Sequence, residues 1–167
     1  MAAPTTTTDE VIPAQIDKGN LIPKTYTGTL QTFVMLGPDQ LTVASGAVFT
    51  DGRIVVSTPS GQTLQRYANM PALIEDWWGQ GMLMWCPHDT LLDYEVAPRR
   101  FVFERHEDET GISGTGTALE GVVFPHGGVH LMWLGTVRSL VEWPSIEEAL
   151  AMHGHDGRTQ IRWLDPA

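Results

Sequence analysis

With 167 residues, 42% of them hydrophobic, and a net charge of −10 from 20 acidic and 10 basic side chains, the chain can form one compact unit or two small packed halves. That charge repels nucleic acid and anionic membranes, and Arg99-Arg100 is the only close basic pair, so neither is expected as a partner. No stretch approaches the ~20 apolar residues of a membrane span, and the lone cysteine, Cys86 in "LMWCPH", reads as a buried, inert thiol suited to a reducing cytoplasm.

In chain order, residues 1–23 carry a Thr5–Thr8 run and prolines, without the cationic start and apolar run of a secretory signal, and are expected to be flexible. "TLQTFVML" then predicts an opening strand, and "GAVF", "RIVVST" and "QTLQRY" three more, through their alternation or β-branched content. "NMPALIEDWW" predicts a helix capped by Asn69, with Met70, Leu73 and Ile74 on one face, and "MLMW" a closing strand. Beyond Arg99 the series repeats as "RRFVFER", "GVVF", "VHLMWLG", "RSLVEW", a helix "SIEEALAMHG" capped by Ser145, and "QIRW". Registered on Gly46 and Gly121, Val48-Phe49 falls on Val123-Phe124 and the turn "TDGR" on "PHGGV", with one residue inserted there.

The fold expected is therefore α+β: two tandem β-rich modules, each a bent antiparallel sheet with one helix, related by pseudo-two-fold symmetry. The modules are placed at residues 24–96 and 97–167, each β-β-β-β-α-β, packed as one compact unit. Packing the copies together buries apolar faces that each alone would leave wet.

Three elements of the second copy, "SGTG" at 113–116, "EGVVF" at 120–124 and "HGHDGRT" from His153 before Trp163, resemble those of a small uncharacterised family of actinobacterial, archaeal and phage proteins. The resemblance covers roughly the last 70 residues and implies a module without implying a reaction.

Where the copies differ, fold requirements cannot be the cause, so the differences point to function. Two segments stand out: "HEDETGISGTGTALE", longer by roughly seven residues than "GPDQLTVAS", and "HGHDGR", which replaces "GQG" after the helix. Candidates for ligand or partner binding are Ser113, Gly114, Thr115 and Gly116 in the first, and His153, His155, Asp156 and Arg158 in the second. Trp78 joins them because adjacent Trp77 and Trp78 point about 100° apart on a helix, which brings one to the rim of the core. The competing structural reading makes the first segment a Gly-rich linker and the second a helix terminus whose Gly154 or Gly157 adopts the left-handed conformation.

"GTG" precedes a strand rather than a helix and therefore lacks the setting of a dinucleotide loop, while Glu107, Asp108 and Glu109 disfavour phosphate. No residue pair has a nucleophile-and-base context, so neither catalytic residues nor a cofactor is assigned. The expected function is a non-catalytic binding or interaction protein, a phage or actinobacterial accessory protein acting on a host protein or small ligand. Two alternatives stand beside it: a metal-dependent hydrolase or lyase using His153, His155 and Asp156, and a sequestering protein for a nucleotide-like signal. Whether the chain forms a homodimer is left open.

Overall fold

The six-element series occurs twice along the chain. A computed structural model describes residues 28–62, 64–77, 79–86, 96–107 and 115–166; the segment expected to be flexible, 1–23, lies outside them. The first series is β1 (Gln31–Leu36), β2 (Thr42–Val48), β3 (Ile54–Ser57), β4 (Leu64–Tyr67), α1 (Met70–Trp77) and β5 (Met82–Trp85). The second is β6 (Arg99–Arg105), β7 (Gly116–Val123), β8 (Val129–Trp133), β9 (Leu140–Trp143), α2 (Ile146–His153) and β10 (Thr159–Trp163). They form two antiparallel five-stranded sheets, β4-β3-β2-β1-β5 and β10-β6-β7-β8-β9, which have the same topology. The α+β reading and the two tandem modules thus hold.

The correspondence extends to single residues. Phe33 lies opposite both Gly46 and Trp85, and Phe101 opposite both Gly121 and, on β10, Trp163. The ladder is interrupted by a bulge between Met35 and Leu36 in one sheet and between Phe103 and Glu104 in the other, the same position of each series. Both helices begin on a side-chain cap: Asn69 Oδ1 accepts from the Ala72 N–H at 3.0 Å, and Ser145 Oγ from the Glu148 N–H at 3.2 Å. Each cap satisfies one of the backbone donors that a first helical turn leaves unpaired.

Glycine fixes the centre of each sheet. The Phe33 and Phe101 rings lie across the neighbouring strand, where a Cβ on Gly46 would stand 2.3 Å from the Phe33 ring and one on Gly121 would stand 2.6 Å from that of Phe101. On its far side each ring meets a tryptophan edge to face, Phe33–Trp85 at 5.7 Å and Phe101–Trp163 at 5.4 Å between centroids.

Three apolar layers follow from strand alternation. Phe33, Val48, Ile54 and Val56 pack with Leu73 of α1, and Phe101, Phe103, Leu131 and Val129 pack with Ala149 of α2. The opposite faces meet each other: Ala47, Phe49 and Val55 of the first sheet pack against Val122, Phe124 and Met132 of the second. The order of layers is helix, sheet, sheet, helix.

The sheet-to-sheet contact is reciprocal. The tip of the β2–β3 hairpin reaches the second module, where Glu120 Oε1 accepts from the Thr50 N–H and Oγ1 at 2.8 Å each and Arg53 approaches the Met132 sulfur at 3.0 Å. The tip of the β7–β8 hairpin reaches the first, where His126 Nε2 lies 2.9 Å from Ser57 Oγ. Register places Ser57 and Met132 at equivalent positions, so each tip reaches the same place on the other module, though from different tip residues. Arg66 and Glu142, also equivalent, pair with each other at 3.1 Å, and equivalent strands β1 and β6 approach one another. Contacts between a position and its own counterpart mark the axis of an isologous, two-fold arrangement.

One expectation about the repeat is corrected. The hairpin turns contain no insertion: Phe49 and Phe124 donate to the Arg53 and Gly128 carbonyls at 2.9 Å in each, with Gly52 and Gly127 at φ 88° and 93°. The extra residue lies one strand later, where β8–β9 spans seven residues between the paired Met132 and Leu140, and β3–β4 spans six between Ser57 and Leu64. Gly128 follows Gly127 in sequence and mimics an insertion, but it occupies the position of Arg53.

A buried histidine lies in the sheet-to-sheet layer. His130, 1% exposed, occupies the position of Val55, its Nδ1 has no hydrogen-bond partner among the described residues, and its ring meets Phe124 edge to face. Desolvation pushes its pKa down to about 4, with Glu142 opposing the fall and Arg66 and His126 adding to it. Between about 6.5 and about 4, therefore, the unfolded chain binds a proton that the folded chain excludes.

Two predictions follow from this packing. Gly46→Ala and Gly121→Ala each lower stability by about 1–3 kcal/mol in denaturant unfolding, because a new Cβ overpacks a ring, whereas Gly135→Ala, with open space around it, stays within about 0.5 kcal/mol. Stability is fully present above about pH 6.5 and falls as pH drops toward about 4, by about 3 kcal/mol from His130 alone. Replacing His130 by valine, as at position 55, removes that part of the slope in unfolding curves recorded across this range.

Candidate functional site

The second module is longer than the first in three places. Three residues separate the paired Gly37 and Leu41 at the β1–β2 turn, whereas ten separate their counterparts Arg105 and Gly116, an excess of seven. The β8–β9 connection is longer by one. After the helix, four residues lead from Trp77 to Met82 but six from His153 to Gln160, its counterpart.

All three insertions emerge at the same end of the second sheet. Thr159 pairs with Arg105, which pairs with Gly116, so β10, β6 and β7 are aligned there, and the antiparallel order brings the end of β8 and the start of β9 to the same edge. The hairpin tip that docks on the first module lies at the opposite end. Thr115 and Gly116 are therefore about 10 Å, two strand spacings, from the turn after α2. Arg158 ties the two segments together: its carbonyl accepts from the His106 N–H at 2.8 Å, and its Nε lies 3.6 Å from Glu107 Oε2.

The turn after α2 has an unusual backbone. His155, Asp156 and Gly157 all have positive φ, at 47°, 53° and 89°. For each of the first two this costs about 1–2 kcal/mol relative to a right-handed conformation, and such strain persists only where its surroundings impose it. Here the Gly154 carbonyl accepts from the N–H groups of Gly157 and Thr159, at 3.1 and 3.0 Å. Gly154 is itself right-handed, and it is required for a different reason: a Cβ there would meet the Leu150 carbonyl at 2.5 Å. The side chains of His155 and Asp156 are exposed.

His153 belongs to the core. It occupies the position of Trp77, and its ring stands edge to face against Trp133 and Trp143 at 5.4 and 5.3 Å, with Phe103 at 6.2 Å. Desolvation first, then His155 and Arg105, lower its pKa, so it packs as a neutral aromatic. In the first module the equivalent pair is hydrogen-bonded, Trp77 Nε1 donating to the Tyr67 hydroxyl at 3.0 Å and that hydroxyl to Asp76 at 2.6 Å. Histidine was legible in the sequence as a potential ligand, but its alignment with Trp77 becomes visible only once the two caps fix the helix register.

Of the other candidates, Thr115 and Gly116 are exposed at the start of β7, with Gly116 at φ 100°, and Arg158 is half-buried. Ser113, Gly114 and Trp78 lie outside the described residues. His153, His155 and Asp156 are not arranged as a ligand set, and among the described residues no three His, Cys, Asp or Glu side chains are grouped to hold a metal ion.

Residues not singled out from sequence complete this end. A shallow open groove of about 550 Å³ runs between α2 and β10, lined by Leu150, Ala151, Gly154, Thr159 and Ile161 and rimmed by Glu147 and Asp156. Period alone places Leu150 and Ile161 in apolar stripes, and only the outermost position of β10 leaves them beside open space.

The contact most like catalytic machinery, Ser57 with His126, has the wrong polarity for it. His126 Nδ1 accepts from the Gly128 N–H at 3.2 Å, so in the neutral ring, which desolvation favours, the proton sits on Nε2 and is donated to Ser57 Oγ. Ser57 Oγ in turn donates to the Thr58 carbonyl at 3.1 Å. An imidazole nitrogen that donates to a hydroxyl cannot accept that hydroxyl's proton, so the pair clamps the hairpin tip.

Among the described residues no helix is long and apolar enough to cross a membrane. No curated protein and no solved structure matches the chain. Residues 98–165 match the family described as Acb5 phage protein, a match that spans all of the second sheet, α2 and the inserted segments and stops short of the first module, so this half of the chain is similar to a phage protein family.

Proposed function

We propose that the chain is a non-catalytic binding protein, a phage accessory protein whose working surface is the end of the second sheet where the inserted segments gather. One observation carries this reading: every segment by which the second module exceeds the first emerges at that end, opposite the hairpin tip that holds the modules together. A scaffold that keeps its packing in both copies while elaborating one end in one copy has the form of a binding surface on a rigid frame. The left-handed run at His155 and Asp156 supports it, since the fold closes the corresponding turn of the first module in two fewer residues. The similarity to a phage family supports the setting. The bound species in this reading is a protein segment or a small ligand, held by Thr115, Gly116, His155, Asp156 and Arg158.

Native mass spectrometry of the full chain purified from cells that express it tests this. The expected result is a bound protein or small molecule, lost when His155→Asn and Asp156→Asn are combined with Thr115→Ala. Asparagine tolerates the left-handed backbone, so the unfolding free energy changes by no more than about 0.5 kcal/mol. His153→Phe, which keeps an aromatic ring in the core, leaves the bound species in place. Retention of that species by the triple variant, or its chemical conversion by the wild-type chain, overturns the proposal.

A further inference from the structure

We propose that the groove between α2 and β10 receives an extended, cationic segment of a partner protein, which adds to the second sheet as a strand alongside β10. The inference rests on the binding role proposed above and names the class of occupant.

β10 is the terminal strand of its sheet, and no described strand lies on its outer side. His106 N–H donates to the Arg158 carbonyl and Leu164 N–H to that of Arg100. Antiparallel alternation then turns the backbone groups of Gln160 and Arg162 toward β6 and those of Ile161 and Trp163 outward, in the pattern that an added strand needs. The wall facing this edge is apolar. Leu150 on α2 is 38% exposed and Ile161 lies across from it, so alternate side chains of an added strand find an apolar seat. Thr159, 1% exposed, lines the same groove, and its Oγ1 has no hydrogen-bond partner among the described residues.

Charge selects the occupant. The groove is lined by the carboxylates of Glu147 and Asp156 and by no lysine or arginine, and no described cation is paired with either acid. Of the arginines on the neighbouring segments, Arg158 pairs with Glu107 and Arg162 with Glu104 at 2.6 Å, and Arg105, across from Thr159 on β6, is buried. A second copy of this chain, itself at −10, would bring the same acids together across a two-fold. A small molecule would remain largely wet in so open a groove. A strand alternating apolar residues with lysine or arginine satisfies the edge, the apolar wall and the acidic rim together.

Selection of a displayed library of random nonapeptides on the immobilised full chain tests the inference. The expected result is enrichment of sequences that alternate apolar and basic residues and lack proline at their centre. The most enriched peptide, fluorescently labelled, then binds at least tenfold more weakly, by anisotropy, to the Glu147→Lys, Asp156→Asn variant, whose unfolding midpoint is compared with that of the wild type. N-methylation of alternate peptide amides, which blocks strand pairing without changing charge, also weakens binding at least tenfold. Enrichment of acidic or proline-centred peptides, equal binding by the variant or by the methylated peptide, or no enrichment at all overturns the inference. If the peptides fail while a bound species is still lost from the Thr115→Ala, His155→Asn, Asp156→Asn triple variant, the occupant is misassigned and the binding role stands. If both fail, the binding role falls as well.

Discussion

Each sheet is organised around a phenyl ring lying where a side chain is missing. Gly46 and Gly121 stand mid-strand, where glycine ordinarily weakens a sheet, and in return the Phe33 and Phe101 rings lie flat across the neighbouring strand with a tryptophan at the far edge. This contact fixes register in two directions at once. A slip of one residue between β1 and β2 would drive Ala47 or Ser45 into the ring, and a slip of β5 would turn Trp85 to the opposite face. With three strands locked, the outer strands and the helix have one set of apolar faces left to cover.

That locking lets the two ends of the second sheet serve different purposes. At one end the hairpin tip carries Phe124 and His126 into the first module, where Ser57 and the turn at Gly61 enclose the imidazole. At the other, the chain departs from the minimal connections seen in the first module without disturbing the layers between. The buried Arg100–Asp165 pair closes the frame: Asp165 accepts from both the Arg100 backbone and its guanidinium, while Arg100 donates to the Leu30 carbonyl of the first module. Residues buried between the two modules thus lie at their contact, and the outer end of the second sheet is left at the surface.

The repeat was readable because the features that build it are local: a capping residue, alternation, and a glycine two residues before Val-Phe at the start of each hairpin. What the sequence concealed was geometric. "PHGG" against "TDGR" reads as an insertion because glycines attract the alignment, whereas pairing places the extra residue beyond β8. His153 in "HGHDG" reads as one of a pair of potential ligands, yet the helix cap puts it on the site of Trp77 and sends it into an aromatic cluster away from His155. The groove beside β10 has no signature of its own, since a terminal strand and a central one of the same composition differ only in their neighbours. That the two long segments share one end could be read only after strand directions were known.

The reciprocal exchange of hairpin tips gives the chain the interior of a homodimer with its two halves joined covalently. Two separate copies of a module would assemble only above some concentration and would come apart on dilution; joined in one chain, they meet at a fixed effective concentration. Stoichiometry changes as well. A symmetric pair of second modules would display two identical elaborated ends and could bridge two partners, whereas this chain displays one beside a plain counterpart. In the binding role proposed above, each chain would therefore offer a partner a single elaborated end, where a symmetric pair would offer two.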